Sequence, residues 1–231
     1  MKEAMRTEEL YDLTHTAAKA LLEQTEYPWE ALPKIGDFIR ELGRSLPSGE
    51  YEKLMDEDVW IAKSVKRYPN NYITGPAIIG PGTEIRPGAF IRGNALIGAN
   101  CVIGNSTELK NVIIFDNVQV PHYNYVGDSI LGYKSHMGAG AVTSNVKQDK
   151  TPVTVQCGDE RVETGLKKFG AMLGDNVEVG CNSVLNPGTV VGRGSRVYPL
   201  SMVRGFVPAG TIHKHGGEPP FPIRRAEAAR P

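Results

Sequence analysis

The chain is short of aromatic residues, of cysteine, of net charge and of long apolar runs, and each shortage removes a class of protein. Its 3 cysteines, Cys101, Cys157 and Cys181, are odd in number and show no C-x-x-C spacing, so neither a disulfide framework nor a zinc knuckle is expected. With 26 basic and 26 acidic side chains there is no field to gather nucleic acid or an anionic membrane, and an anion must be bound locally. No stretch approaches the roughly 18 consecutive apolar residues of a membrane-crossing helix. The opening MKEAMRTEELYDL lacks the apolar centre and cleavage site of a signal peptide. The expectation is a soluble, cytoplasmic protein of one domain with a modest appendage.

What the sequence has is glycine, 26 residues of it in 231, with only 7% aromatics. That composition asks for an architecture that turns tightly and often. Aliphatic side chains recur every six residues at Ile73, Ile79, Ile85, Ile91, Ile97, Ile103 and Leu109. A second register takes in Ile114, Val120 and Val126, and a third Leu131 and Met137. The last runs cleanly through Leu173, Val179, Leu185, Val191, Val197 and Val203. Neither a helix nor a one-faced strand has this period. A six-residue unit is one short strand plus a corner, and three of them close a triangular coil whose inward aliphatics stack on the coil above. The fold class is therefore mainly β, a parallel β-helix over residues 59–208. Corners such as IIGPGT, LIGAN and VVGRGS supply the glycine and asparagine that tight turns need.

Two segments break the period. Residues 144–170 are too long for a corner and read as a surface excursion. In residues 1–58, Leu10, Leu13, Ala17 and Leu21 have helical spacing, as do Phe38, Ile39 and Leu42, which predicts two or three helices capping an open end of the coil. The tail 209–231 is rich in proline and charge and should not fold alone.

The densest chemistry lies between Arg86 and Asn145. Arg92 and Lys110 are 18 residues apart, each directly after an inward aliphatic, so they should occupy one corner of successive coils about 5 Å apart. Such cations repel unless an anion lies between them, and a phosphate suits the pair, with Arg86 extending the column. His122 follows a proline on the outer surface and could take a proton from a nucleophile. The five histidines are His15, His122, His136, His213 and His215; none forms an H-x-x-x-x-H pair, so no metal is expected.

At these residues the sequence resembles a known family. The strings GNSTELKN, VPHYNYVGDS, LGYKSHMGAGAVTSN and GLKKFGAMLGDNVEVGCN, within residues 73–208, are similar to the acetyltransferase half of the bifunctional enzymes that make UDP-N-acetylglucosamine. They look still more like the C-terminal region of archaeal-type bifunctional sugar-1-phosphate nucleotidylyltransferases. The spacings match, 12 residues from Lys110 to His122 and 23 from His122 to Asn145. The resemblance implies a left-handed β-helix that passes acetyl from acetyl-CoA to the 2-amino group of a hexosamine 1-phosphate. His122 would be the general base, Arg92 and Lys110 would hold the phosphate, and Tyr125, His136 and Asn145 would contact the sugar. Ala139, Cys181, Pro199 and Lys214 would lie along the cofactor, and sites would form between the subunits of a homotrimer. The sequence departs from the pattern in four places. His136 stands for an asparagine, Cys181 for a serine and Pro199 for an alanine, and an expected lysine is displaced to about Lys147 or Lys150. No glycine-rich phosphate loop after a strand signals a nucleotidylyltransferase domain, so a separate enzyme of that kind is a candidate partner. The rival readings are a non-catalytic trimeric scaffold that binds sugar phosphates and a metal-dependent hydrating enzyme on the same scaffold.

Overall fold

Each six-residue unit forms one side of a triangular coil in the computed structural model, which describes residues 2–54 and 58–214. Strands pair in parallel with their equivalents one coil on, 18 residues away in the early coils: Tyr72 with Phe90, Ala77 with Ala95 and Glu84 with Val102. The product is a parallel β-solenoid whose interior is the six-residue series itself, with Ile79, Ile85, Ile91, Ile103, Leu109, Leu173 and Leu185 fully buried.

The three faces differ in character. One carries Val59–Ala62, Ala77–Ile79, Ala95–Ile97 and their successors through Thr189–Val191, and is buried inside and out. We call it the covered face. The next in chain order, an eight-stranded sheet from Lys66–Arg67 to Ile212–His213, points charged and polar side chains outward; it is the charged face. The third carries Tyr72–Thr74, Phe90–Arg92, Val142–Thr143, Val184–Leu185 and Met202–Val203 and has no covering element among the described residues; it is the bare face.

The shifts of register at Ile114 and Leu131 have a simple cause. Between the bare and covered faces the early coils use two corner residues, as at Gly93 and Asn94, which both take positive φ. The next two coils use one, Asn111 at φ 55° and Asp128 at φ 48°. Each strand then runs unbroken around the corner, as Glu108–Ile114 and Tyr125–Leu131, and pairs 17 residues apart, Leu109 with Val126. Asparagine and aspartate are the side chains that best tolerate this left-handed conformation.

The N-terminal segment does not cap an open end, contrary to the sequence expectation. It crosses the covered face from a late coil to the first. The Glu8 carbonyl accepts from Arg193, the Leu10 carbonyl from Asp175, the His15 carbonyl from Asp116 and the Leu32 carbonyl from Asn111. Nor do Leu10 to Leu21 form one helix. Helix α1 is Thr7–Leu10, α2 is Lys19–Leu22, and extended residues and a 3-10 turn lie between them. There Asp12 accepts from the Thr14 N–H, and Thr16 from the Ala18 N–H, local bonds that compete with a helix. Meanwhile the extended backbone is free to pair with solenoid corners. Helix α3, Ile35–Ser45, lies over the first coils and buries Ile35, Ile39 and Gly43. A Cβ on Gly43 would come within 2.4 Å of the Trp60 ring, so glycine sets how closely the helix can lie. The edge of the first coil is instead met by a strand, Tyr51–Lys53, antiparallel to Val59–Ala62.

The excursion at 144–170 contains an antiparallel hairpin, Thr154–Cys157 with Glu160–Glu163. Val153, Val155 and Cys157 are buried against the upper coils, and Phe169 stacks on Trp29 of the N-terminal segment. The solenoid also runs past residue 208, because Ile212–His213 pairs with Arg196–Val197. The remainder of the expected tail, with His215, lies outside the described residues.

Candidate active site

His122 ends the strand Gln119–His122 on the charged face, at the corner that leads to the bare face. Its imidazole is exposed, while its backbone is fixed on both sides: its N–H donates to Asn124 Oδ1 at 3.1 Å and its carbonyl accepts from Gly140 at 3.0 Å. Asn124 is buried and donates in turn to the carbonyls of Gly138 and Ala141, which pins this corner to the next coil.

The same edge continues upward through the candidate cofactor residues. Ala139 accepts from the Asn182 N–H, Cys181 accepts from Leu200 N–H, and the Gly180 backbone passes close to Pro199. Above them Lys214 sets its ammonium over the Tyr198 ring, 4.6 Å from the centroid. His122, Ala139, Cys181, Pro199 and Lys214, scattered over more than ninety positions of sequence, thus form one line along one edge. Cys181 is exposed and free; Cys101, by contrast, has its thiol pushed up to about 12 by burial and donates to the Phe115 carbonyl, which removes it as a nucleophile.

The bare face beside that edge holds the candidate acceptor residues. Ile91 pairs with Leu109, which sets Lys110 one rung above Arg92. Neither cation lacks a counter-charge, however. Arg92 Nη1 donates to Glu108 Oε1 at 2.6 Å, and Lys110 Nζ lies 3.4 Å from both carboxylate oxygens of Asp128. The expected anion between the two cations is therefore not needed to hold them in place. Arg86 is not part of the column: it stands on the charged face and pairs with Glu84 at 2.8 Å, since six residues move the chain one side around the triangle.

Tyr125 pairs with Glu108 across the rungs and accepts from Asn145 Nδ2 at 3.3 Å. Burial, reinforced by the Asp128 and Glu108 carboxylates, raises its phenol above the ordinary value, so it is a hydrogen-bonding hydroxyl and not a base. His136 is placed elsewhere. It sits on the outer surface of the charged face with Nδ1 2.9 Å from Glu178 Oε2, turned away from the bare face of its own chain.

Sequence reasoning missed Asp128, Glu108 and Glu178, the carboxylates that hold Lys110, Arg92 and His136. The five-residue steps from Leu109 to Ile114 and from Val126 to Leu131 were the available signal for the first, since they mark the tightened corner. Among the described residues no group of three or more His, Cys, Asp or Glu could hold a metal ion. No helix of the described residues is long and apolar enough to cross a membrane.

The family model of the GMPPB C-terminal domain matches residues 73–195, more than half of the chain and all of the coils that carry His122, Arg92 and Lys110. The chain belongs to this family. Among curated proteins it is similar to the bifunctional sugar-1-phosphate nucleotidylyltransferase/acetyltransferase of Sulfurisphaera tokodaii, 35% identical over 109 residues, which cover 47% of this chain and 27% of that one. It is also similar to the bifunctional protein GlmU of Methanococcus vannielii, 42% identical over 90 residues, 39% of this chain and 22% of that one. The match thus spans about a quarter of the length of these relatives. Solved structures similar to it include the acetyltransferase domain of PglB from Neisseria gonorrhoeae in complex with acetyl coenzyme A, with 14% identity and a TM-score of 0.33 over 71% of this chain and 57% of that one. A hexapeptide transferase family protein from Anaplasma phagocytophilum aligns with 17% identity and a TM-score of 0.39 over 72% and 80%.

Proposed function

We propose that this GMPPB C-terminal-domain protein is an acetyl-CoA-dependent N-acetyltransferase acting on a hexosamine 1-phosphate. The observation that carries the reading is the line of His122, Ala139, Cys181, Pro199 and Lys214 along one solenoid edge, directly beside the face that holds Arg92 and Lys110. Four rungs separate His122 from Lys214, about 19 Å at the spacing of neighbouring strands. That is the scale of an extended pantetheine arm, and a cofactor laid along this line would have its thioester at the end nearest the histidine. His122 takes the proton from the acceptor's amine, whose lone pair attacks the thioester carbonyl. The exposed imidazole stands on a backbone fixed by Asn124 and Gly140, so orientation costs little at the moment of reaction. Arg92 and Lys110 take the phosphate, Tyr125 and Asn145 orient the sugar ring, and CoA thiolate leaves. The similarity to proteins named nucleotidylyltransferase/acetyltransferase and GlmU supports both the acyl donor and the class of acceptor.

The protein is proposed to work as a homotrimer. Tyr72, Phe90, Val184 and Met202 stand exposed on the bare face, and Tyr123, Tyr198 and Leu200, the last 71% exposed, stand along the adjoining edge. These seven are the exposed large hydrophobics of the described residues, and all lie on one side of the prism. A cleft of about 390 Å³ lies instead in the N-terminal segment, lined by Arg6, Thr7, Leu13 and Glu26. The edge that carries His122 is a convex corner of one chain, and a neighbour's charged face against it would make the groove. Such packing would also bring a second chain's His136 towards the acceptor.

The reading is tested by release of CoA thiol from acetyl-CoA with glucosamine 1-phosphate, galactosamine 1-phosphate and the unphosphorylated amines. Turnover that requires the phosphate supports it. A second reading, a non-catalytic trimeric scaffold for sugar phosphates that works beside a separate nucleotidylyltransferase, is favoured by the 2.9 Å contact of His136 Nδ1 with Glu178 Oε2, which keeps that side chain on the charged face. Binding of a sugar phosphate with no CoA released from any amine would select the scaffold.

A further inference from the structure

Asp128 occupies the tightened corner between the bare and covered faces and is 3% exposed. Three nitrogen donors converge on its carboxylate. Asn111 Nδ2 donates to Oδ1 at 2.9 Å, Asn145 Nδ2 donates to Oδ2 at 2.5 Å, and Lys110 Nζ stands 3.4 Å from both oxygens. Its own carbonyl accepts from the Gly170 N–H at 2.8 Å, where the excursion that leaves the solenoid at Asn145 returns. Asn111 Nδ2 also reaches the Leu32 carbonyl of the N-terminal segment at 3.3 Å. The buried carboxylate therefore links a cation of the bare face to an amide beside Tyr125, the backbone of Asp128 holds the returning excursion, and Asn111 connects the group to the covering segment.

We propose that Asp128 is a positioning residue for the anionic acceptor, fixing Lys110 and Asn145 in the geometry that receives the sugar phosphate. The inference rests on the acetyltransferase reading and deepens it, since Asp128 lies outside the set of residues expected to touch the acceptor. The centre of three converging donors has to be an acceptor at both oxygens, and only an ionised carboxylate is that. An amide in its place turns an NH2 group against one of the donors and removes the charge that holds Lys110. Lys110 carries three protons and its side chain is 26% exposed, so anchoring by Asp128 on one side leaves donors for a ligand on the other. The corner that has lost one residue is what brings Asp128 within reach. Two coils below, where two residues turn the same corner, Gly93 and Asn94 occupy it and no carboxylate is present.

The test compares wild type, Asp128→Asn, Lys110→Met and the double variant in steady-state kinetics, with calorimetric titration of glucosamine 1-phosphate alongside. Asp128→Asn should raise KM for the phosphorylated acceptor about tenfold or more, with KM for acetyl-CoA within about twofold of wild type. Because Asp128 acts through Lys110 as well as Asn145, the added cost of Asp128→Asn should be clearly smaller in the Lys110→Met background than in wild type. A lost structural prop would lower both substrates' affinities together and multiply with the lysine change, and either result overturns the proposal. So does an acceptor KM within about twofold of wild type in Asp128→Asn. Should that variant not fold, Asn111→Ala, which removes one donor from the carboxylate, should still raise acceptor KM several-fold with kcat unchanged, and an unaltered KM there counts against Asp128. Titration separates this proposal from the reaction itself. If wild type turns over no amine yet binds glucosamine 1-phosphate and Asp128→Asn does not, the positioning role stands and the transferase reading falls. If wild type binds no sugar phosphate, both fall.

Discussion

Gly140 donates its backbone N–H to the carbonyl of His122 at 3.0 Å, which fixes the candidate base and the Gly138-Ala139-Gly140 turn on successive rungs of one edge. The histidine is thus oriented through its main chain while its ring remains exposed. Removing the ring should leave the fold alone.

His122→Ala is accordingly expected to lower kcat by about 10²- to 10⁴-fold, the usual worth of a positioned general base, with acetyl-CoA affinity and melting temperature unchanged. Thiol release and calorimetry on the same preparations measure both. Turnover within a few-fold of wild type would remove His122 from the mechanism.

Arg92→Ala should act on the acceptor and not on the donor. The loss of one charge-assisted contact to phosphate is expected to raise KM for the 1-phosphate by roughly tenfold while leaving any slow reaction of the unphosphorylated amine as it was. Equal effects on both amines would mean that Arg92 serves Glu108 and not the ligand.

Met202→Asp and Leu200→Asp place charge among the exposed apolar side chains of the bare face and its edge. Light scattering after size exclusion should show a trimer in wild type and smaller species in these variants, with activity lost in parallel. A wild type that is monomeric at working concentration, or variants that remain trimeric, would refute the proposed interface.

Gly43→Ala tests the docking of α3 on the first coil. A methyl group gains about 1 kcal/mol of helix propensity but meets the buried Trp60 ring, and overpacking of this kind costs about 1–3 kcal/mol. The variant should therefore melt below wild type in chemical denaturation, whereas a gain in stability would show that the helix stands further from the solenoid than described.

Asp175 receives the N–H groups of Asp12 and Tyr133 at 2.7 and 2.8 Å, and burial raises its carboxyl above the usual 3.8 despite those bonds. The folded state then takes up this proton at a higher pH than the unfolded state does, so stability from this group rises as pH falls through the raised value and is lost as pH climbs back. The difference in melting temperature between wild type and Asp175→Asn should consequently be more favourable to wild type near pH 4 than at pH 7. A difference that is flat, or that shrinks on acidification, contradicts the assignment.

Much of the solenoid was legible because its cause is local. Ile73 to Leu109 and Leu173 to Val203 repeat without a slip, and no other architecture needs an inward aliphatic every six residues. The covered face also left a mark that went unread: Ala77-Ile78-Ile79, Ala95-Leu96-Ile97 and Val112-Ile113-Ile114 are unbroken apolar triplets, the pattern of a strand buried on both sides. Read in that way, they ask for something to lie across them. The helical spacing from Leu10 to Leu21 misled for the converse reason: Leu10 and Leu21 are buried from separate short turns, Ala17 is exposed, and the backbone between them is engaged by Asp175 and Asp116.

The candidate site divides along the same line. The sequence by itself determined the coil, its inward residues, the stacking of Lys110 above Arg92 and the neighbourhood of His122, because in a solenoid equivalent positions of successive coils meet and sequence distance converts directly into space. Tertiary structure alone decided which carboxylate answers each cation, that Arg86 and His136 stand on a different face from Arg92, and that the N-terminal segment lies along the prism and not over its end. Those outcomes depend on a corner shortened by one residue and on contacts between segments far apart in the chain, such as Leu32 with Asn111 and Leu10 with Asp175, and no periodicity encodes them.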